Sequence, residues 1–298
     1  MNLPVDMTLI TAVFDQVPVR EILAIARELQ STVLSDSRAV TRKESSEIVT
    51  KADLEIQRTL LKYFAESALA GMYQIKAEEE TDNVAESESA YLQLLIDPLD
   101  GTNPFVRGEP FWGTMVGVCD SSGVLRYSWN LLSDGSIYRS SASQEMPPAS
   151  WESVSNRELT IDLFDYGAGL ALQARELLGR SCQATSIPSA VWTGWKLLSG
   201  ELDGLLWLPS KLGKRSYPDY DLVFLGALAA RGFKVALGYS DSTTQAVSMV
   251  AVAPCEAGLE RLWNTGVTLI RNSEYATVRR SEDLRVTAPI VSKQRVSL

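Results

Sequence analysis

The run Leu94-Leu95-Ile96-Asp97-Pro98-Leu99-Asp100-Gly101-Thr102 constrains this chain more than any other stretch. A short apolar segment, readable as a buried strand, stops at two carboxylates with a proline between them. A Gly-Thr pair then opens the next turn. Two acids at a strand end can hold hard cations, and the turn leaves backbone N–H groups for a phosphate. The same residues can also be read as a helix N-terminus, with Asp97 and Asp100 capping its orphan donors.

Composition narrows the choice. The 298 residues allow one large or two modest domains, and a net charge of −9 argues against nucleic acid or an anionic membrane as the main partner. Histidine is absent, which excludes Ser-His-Asp and Cys-His catalysis, phosphohistidine chemistry and His-ligated zinc. Any hydrolytic chemistry must use carboxylates, hydroxyls, lysine or water on a metal. The three cysteines, Cys119, Cys182 and Cys255, have no paired spacing and read as reduced thiols of a cytoplasmic protein. The opening MNLPVDMTLITAVFDQ carries early acids and no basic stretch, so it does not read as a signal peptide. No apolar run approaches the ~20 residues needed to span a bilayer.

Along the chain, residues 8–34 have helical spacing with Pro18 as a break or first-turn residue. Ser45 to Thr50 reads as a loop or short strand. Lys51 to Ala70 reads as an amphipathic helix with Leu54, Leu61, Phe64 and Ala68 on one face. Met72 to Ala77 and Leu92 to Ile96 read as strands. A hairpin follows, Thr114 to Cys119 and Val124 to Trp129 around Asp120-Ser121-Ser122-Gly123, with a third strand near Ser136 to Arg139. Residues 140–158 are polar with a proline pair and suit a linker. Beyond it, helices are expected at Ala168 to Leu178 and Ser189 to Ser199, and apolar runs at Gly204 to Leu208, Lys234 to Leu237 and Ser248 to Ala253. The expected division is an N-terminal α+β half over 1–145, a C-terminal α/β half over 146–270 and an extension over 271–298.

Four acidic groups abut apolar segments: Asp53 in Val49-Thr50-Lys51-Ala52-Asp53, the run Glu78-Glu79-Glu80, the Asp97/Asp100 pair, and Asp221 after Tyr220. Surface acids usually sit on solvated faces, whereas a buried carboxylate needs a partner cation. In this order these segments resemble the inositol monophosphatase family of magnesium-dependent, lithium-sensitive phosphatases. The resemblance rests on Asp97 to Thr102 followed by Phe105-Val106-x-Gly108-x-Pro110-Phe111, on Glu79-Glu80-Thr81 and on Val49-Thr50-x-x-Asp53. It continues in Ser189-Ala190 with Gly200-x-x-Asp203-Gly204, and in Tyr220-Asp221 where the family has Trp-Asp.

The resemblance implies an α/β fold, a layered αβαβα sandwich of the inositol monophosphatase and fructose-1,6-bisphosphatase type. It implies a metal shell of Glu79, Asp97, the Leu99 carbonyl, Asp100 and Asp221. Thr102 with Glu79 would orient and deprotonate the attacking water, and Asp53 would hold a further ion through water. The N–H groups of Gly101 and Thr102 would cradle the phosphate, with Ser189 beside the substrate. The implied cofactor is Mg2+, two or three ions, with Mn2+ as substitute and Li+ as inhibitor. The implied substrate is a small phosphorylated metabolite such as a sugar or cyclitol phosphate, and the implied assembly a homodimer. A nucleotide or sugar bisphosphatase of the same superfamily, or a non-catalytic descendant that binds a phospholigand, are the alternatives. Within the acidic run, Glu78 could take the role given to Glu79.

The chain departs from the family in three places. Asn103-Pro104-Phe105 reorders the loop after Thr102. Leu222-Val223-Phe224-Leu225-Gly226 replaces small residues after Asp221, which is expected to put bulk in the substrate pocket. Lys211-Leu212-Gly213-Lys214-Arg215 stands where an acid is common, so Lys214 and Arg215 suit a second anionic group on the substrate or form a solvated face. Two other patterns carry less weight. Asp219-Tyr220-Asp221 has the spacing of aspartyl-nucleophile phosphatases but lacks the hydrophobic strand that should precede it. Cys255 to Arg261 has a Cys-x5-Arg spacing without a glycine-rich loop, and Trp192 and Trp195 read as packing residues.

Overall fold

The computed structural model describes residues 6–35, 40–42, 48–79, 90–140, 159–163, 173–174, 176–178, 182–208, 217–239 and 247–272. The expected linker over 140–158 lies almost wholly outside these residues, as do most of Ala168 to Leu178 and nearly all of 271–298. Helices α1 (Met7–Phe14) and α2 (Val19–Ser35) flank Pro18. They are followed by β1 (Val40–Arg42), β2 (Ile48–Thr50), α3 (Lys51–Glu66), β3 (Tyr73–Ala77) and β4 (Leu92–Asp100). Next come α4 (Thr102–Val106), β5 (Gly113–Asp120), β6 (Leu125–Leu132), β7 (Ile137–Arg139), β8 (Leu159–Asp162) and β9 (Cys182–Thr185). The chain continues through α5 (Ala190–Ser199), β10 (Gly204–Trp207), a 3-10 turn (Asp219–Leu222) and α6 (Phe224–Ala230), and ends in β11 (Lys234–Tyr239), β12 (Val247–Ala253) and α7 (Glu256–Asn272). The result is a mixed α/β fold with two five-stranded sheets.

The chain forms two compact units. The first comprises Met1–Ser141 with Pro188–Trp192 and Asp219–Ala227; the second comprises the remainder. In the first unit the sheet order is β3-β4-β5-β6-β7. Strand β3 runs parallel to β4 and the other pairs are antiparallel. Helix α3 buries Ala52, Ile56, Leu60 and Phe64. These recur every fourth residue and so form one stripe, which displaces the expected face through Leu54, Leu61 and Ala68. The stripe meets Phe14, whose ring lies 5.3 Å from Phe64 and 4.9 Å from Tyr127. Each fully buried side chain of this size contributes roughly 1.5–3 kcal/mol of transfer free energy.

Proline is a poor residue for an inner strand, because it cannot donate to the ladder. Here Pro98 sits at a register shift: Asp97 pairs with Met115, and Asp100 already pairs with Gly113. The extra residue forms a bulge, and the Thr114 hydroxyl donates to the Pro98 carbonyl at 2.8 Å. The bulge re-aims the strand end that carries both aspartates.

The bulky segment after Asp221 packs into the interior. Leu222, Val223, Phe224 and Leu225 are all buried. A Cβ on Gly117 of β5 would lie 2.8 Å from a Val223 methyl and 2.9 Å from Leu125. Val223 fills the space above a glycine of the sheet. Likewise Asn103-Pro104-Phe105 forms the first turns of α4, where proline is tolerated. Phe105 is buried there and stacks edge-on against Trp112 at 5.5 Å.

In the second unit the order is β11-β12-β10-β8-β9. Its core includes Ile161, Leu206, Met249 and Leu262. Asp162 is buried at the end of β8 and accepts from Thr193 Oγ1 at 2.9 Å and Trp207 Nε1 at 3.2 Å, so it serves this unit's packing.

The Gly117–Val223 fit gives a stability test. Gly117→Ala overpacks the site and Val223→Ala opens a cavity, each costing on the order of 1–3 kcal/mol. The double variant is expected to lose less than the sum, read from denaturant midpoints in a double-mutant cycle. Additive losses would show that the two positions do not share this space.

Candidate metal centre

The first unit gathers the acidic residues. Strands β3 and β4 are parallel in the register Ala77↔Ile96, so both reach their carboxyl ends side by side. The next residue, Glu78, donates its N–H to the Ile96 carbonyl at 2.9 Å. Glu78 and Glu79 thus leave β3 beside Asp97 on β4. The side chain of Gln57 on α3 fixes the Glu79 backbone twice, donating to its carbonyl at 3.1 Å and accepting from its N–H at 3.3 Å.

Asp53 arrives from the start of α3. Thr50 is the N-cap residue and Asp53 the third helical residue, which together form a capping box. Asp53 Oδ2 accepts from the Thr50 N–H at 2.7 Å and the Thr50 hydroxyl at 2.6 Å. Its other oxygen lies 3.3 Å from Thr102 Oγ1, which is also 3.1 Å from the Leu99 carbonyl. One oxygen each from Asp53, Glu78 and Glu79 lies within 4.8 Å of the others.

Asp100 closes β4 and faces a helix start. Its Oδ2 accepts from the Ser189 hydroxyl at 2.5 Å and the Val191 N–H at 2.8 Å, and its Oδ1 from the Ala190 N–H at 3.1 Å. The carboxylate therefore caps α5, a favourable place for negative charge. Tyr138 of β7 donates to the Val191 carbonyl at 2.6 Å and steadies that turn. Gly101 follows with φ of 85°, and a Cβ there would meet the Phe111 carbonyl at 2.4 Å, so only glycine fits.

These charges repel. Burial raises the Asp97 carboxyl well above the ordinary range, and the charges of Glu78, Asp100 and Asp221 raise it further. Burial also raises Asp100, against the bonds from Ser189, Val191 and Ala190. Asp53 is pushed up to about 6 by burial, opposed by its bonds from Thr50 and assisted by the charge of Glu79. Asp97 Oδ1 is buried and has no hydrogen-bond partner among the described residues. An orphaned carboxylate oxygen among further carboxylates, with no histidine in the chain, fits a hard divalent cation.

The structure thus brings Asp53, Glu79, Asp97, Leu99, Asp100, Gly101, Thr102, Ser189 and Asp221 into one compact unit. Lys214 and Arg215 lie outside the described residues, as do Glu80 and Thr81. Thr102 is paired with Asp53. Asp219 forms an ion pair with Lys76 of β3, with both side chains about half exposed. It belongs to a 3-10 turn and not to a strand end, which removes the aspartyl-nucleophile pattern. Gln57, Lys76 and Tyr138 escaped the sequence reading because each acts through a partner remote in the chain. The Thr50-x-x-Asp53 capping pattern was legible.

Asp53 ties this electrostatics to stability. An aspartate ionises near 3.8 in an unfolded chain, and Asp53 only near 6 once folded. The folded state binds the extra proton between these values, so stability falls as pH rises through that window. In metal-free protein Asp53→Asn is expected to remove up to about 3 kcal/mol of this fall while keeping an oxygen for Thr50. Denaturant unfolding at pH 4.5 and 7.5 should show the variant gaining on the wild type at the higher pH. A constant difference at both values contradicts this electrostatic account.

Comparison with known proteins bears on the fold. Residues 13–126 match the inositol monophosphatase family, a family of phosphatases. Among solved structures, an IMPase from Thermotoga maritima is 16% identical with a TM-score of 0.64, covering 85% of this chain and 96% of its own. Inositol monophosphatase II from Staphylococcus aureus is 15% identical with a TM-score of 0.64, covering 94% and 99%. An IMPase/NADP phosphatase, solved with Mg2+ and phosphate, is 13% identical with a TM-score of 0.57, covering 86% and 95%. At these identities the likeness establishes the fold. A curated glucose-1-phosphate thymidylyltransferase from Streptomyces griseus is 33% identical over 99 residues, 31% of this chain; the chain spans about a third (34%) of its length. Among the described residues, no helix is long and apolar enough to cross a membrane.

Proposed function

From a chain with the inositol monophosphatase sequence pattern over residues 13–126 and that family's fold, we propose a divalent-metal-dependent phosphomonoesterase. Its substrate is a small phosphorylated metabolite, a sugar or cyclitol phosphate. The observation that carries this reading is the orphaned Asp97 oxygen inside a cluster of buried carboxylates. Asp97, Asp100, Asp221, Glu79 and the Leu99 carbonyl would hold Mg2+ or Mn2+. Such an ion neutralises phosphoryl charge and acidifies water.

The chain's own groups do the rest. The Thr102 hydroxyl can accept a hydrogen bond from an attacking water while donating to Asp53 at 3.3 Å. Asp53, raised towards neutrality, can then take the proton as general base. The first N–H groups of a helix have no intrahelical acceptor, so those of Gly101 and Thr102 can receive phosphate oxygens. Lys214 and Arg215, shortly before Asp221, would take a second anionic group on the substrate.

Phosphate release from a panel of sugar, cyclitol and nucleotide phosphates tests the proposal. Activity is expected with Mg2+ or Mn2+ and lost in EDTA; full release in metal-free buffer contradicts it. Asp97→Asn and Asp221→Asn should each cost at least ~10²-fold in rate, since each removes charge from the cation's shell. Asp219→Asn, which breaks only a half-exposed ion pair with Lys76, should cost far less. Neutralising Lys214 and Arg215 should raise KM for a doubly anionic substrate more than for a simple monophosphate. Equal effects would make that loop a solvated face.

A further inference from the structure

Tyr138 belongs to β7, the edge strand of the first unit's sheet, three strands away from the aspartates of β4. Its side chain is nonetheless only 1% exposed. The register shows where it lies. Asp97 pairs with Met115, Met115 with Asn130, and Asn130 with Tyr138. Directly paired residues share one face of a sheet, so Tyr138 stands on the face that carries Asp97. Buried Asn130 holds this end of the row, its Nδ2 donating to the Tyr138 carbonyl at 3.1 Å and to Ser128 Oγ at 2.8 Å.

The phenol reaches back towards β4 through Val191. The Val191 carbonyl accepts from the Tyr138 hydroxyl at 2.6 Å, and the Val191 N–H donates to Asp100 Oδ2 at 2.8 Å. The Val191 side chain sits over Gly113, the residue paired with Asp100: a Cβ on that glycine would lie 2.7 Å from a Val191 methyl. One residue is thus held at its carbonyl, its side chain and its N–H. The Ala190 N–H and the Ser189 hydroxyl hold the same carboxylate at 3.1 and 2.5 Å. A carboxylate has about four acceptor places, so three bonds fix its plane and still allow a cation to bind. Burial and the charge of Asp100 raise the Tyr138 hydroxyl well above its ordinary range, which keeps it a donor.

We propose that Tyr138 is a positioning residue of the cation site, which braces Val191 from the far edge of the sheet and so sets the angle at which Asp100 meets the ion. The inference rests on the metal-dependent reading above and adds no ligand to it. Tyr138 acts through the Val191 peptide. Without its hydroxyl the first turn of α5 loses its tie to β7, and the carboxylate bonded to that turn shifts with it.

Calorimetric titration of the EDTA-treated full chain with MnCl2, well below the metal-free melting temperature, tests this without assaying activity. Tyr138→Phe keeps the ring and removes only the hydroxyl. It is expected to weaken one Mn2+ site about tenfold, the scale on which outer contacts act on a metal site. Ile22→Val trims a buried methylene from α2, elsewhere in the same unit, and is the comparison for stability. It should lower the melting temperature and leave the isotherm unchanged. An isotherm for Tyr138→Phe that overlays the wild type overturns the proposal whatever its melting temperature, because a phenol that only packs costs stability alone. Equal weakening by Ile22→Val overturns it too, since binding would then follow general stability. A wild type that takes up no Mn2+ sinks the metal-dependent reading and this proposal together, a result distinct from a wild type and a Tyr138→Phe variant that bind alike.

Discussion

Repulsion among buried carboxylates is the constraint on which this molecule depends. Asp97 lies in the interior with the charges of Glu78, Asp100 and Asp221 around it, and Asp53 faces Glu79 close by. In a low-dielectric interior such groups cannot all stay ionised without a compensating cation. The first unit nonetheless drives them together with much of its backbone. The parallel β3–β4 pair aligns two strand ends, a bulge at Pro98 turns the aspartates, and a capping box delivers Asp53. A fold that invests this much order in mutual repulsion is organised around what relieves it.

The supporting contacts explain why the cluster is rigid. Each acid whose bonds the structure gives is held by donors from a neighbouring turn or helix start. Thr50 holds one oxygen of Asp53, and Ser189 with the α5 amides holds Asp100. Gln57 fixes the backbone of Glu79. Held in this way, the carboxylates need not lose further side-chain freedom to meet a cation, which is how outer contacts tune a metal site. The same bonds connect site and fold, since Asp53 belongs to the capping box of α3 and Asp100 caps α5.

Much of this was legible in the sequence. The Asp97 to Thr102 run announced a strand ending in acids, and the hairpin over 113–132 followed from alternation around Asp120-Ser121-Ser122-Gly123. The buried stripe of α3 was misplaced, because Leu54 and Leu61 look more hydrophobic than Ala52, while the four-residue spacing of Ala52, Ile56, Leu60 and Phe64 decides which face packs. The packing of Val223 was not legible, because nothing local shows that Gly117, more than a hundred residues earlier, leaves room for it. The choice between Glu78 and Glu79 was open for the same reason. A strand end can turn either side chain inward, and only the bend after β3 brings an oxygen of each within 4.8 Å of the other and of Asp53.

The central claim is that the space beside Asp97 is built for a divalent cation. A crystal grown with Mn2+ tests it most directly through anomalous scattering. The account predicts an anomalous peak at coordination distance from Asp97 Oδ1, about 2.0–2.2 Å for a small divalent ion with oxygen ligands. A soak at neutral pH with that oxygen bonded only to water or to a protonated neighbour, and no peak in the cluster, would contradict it.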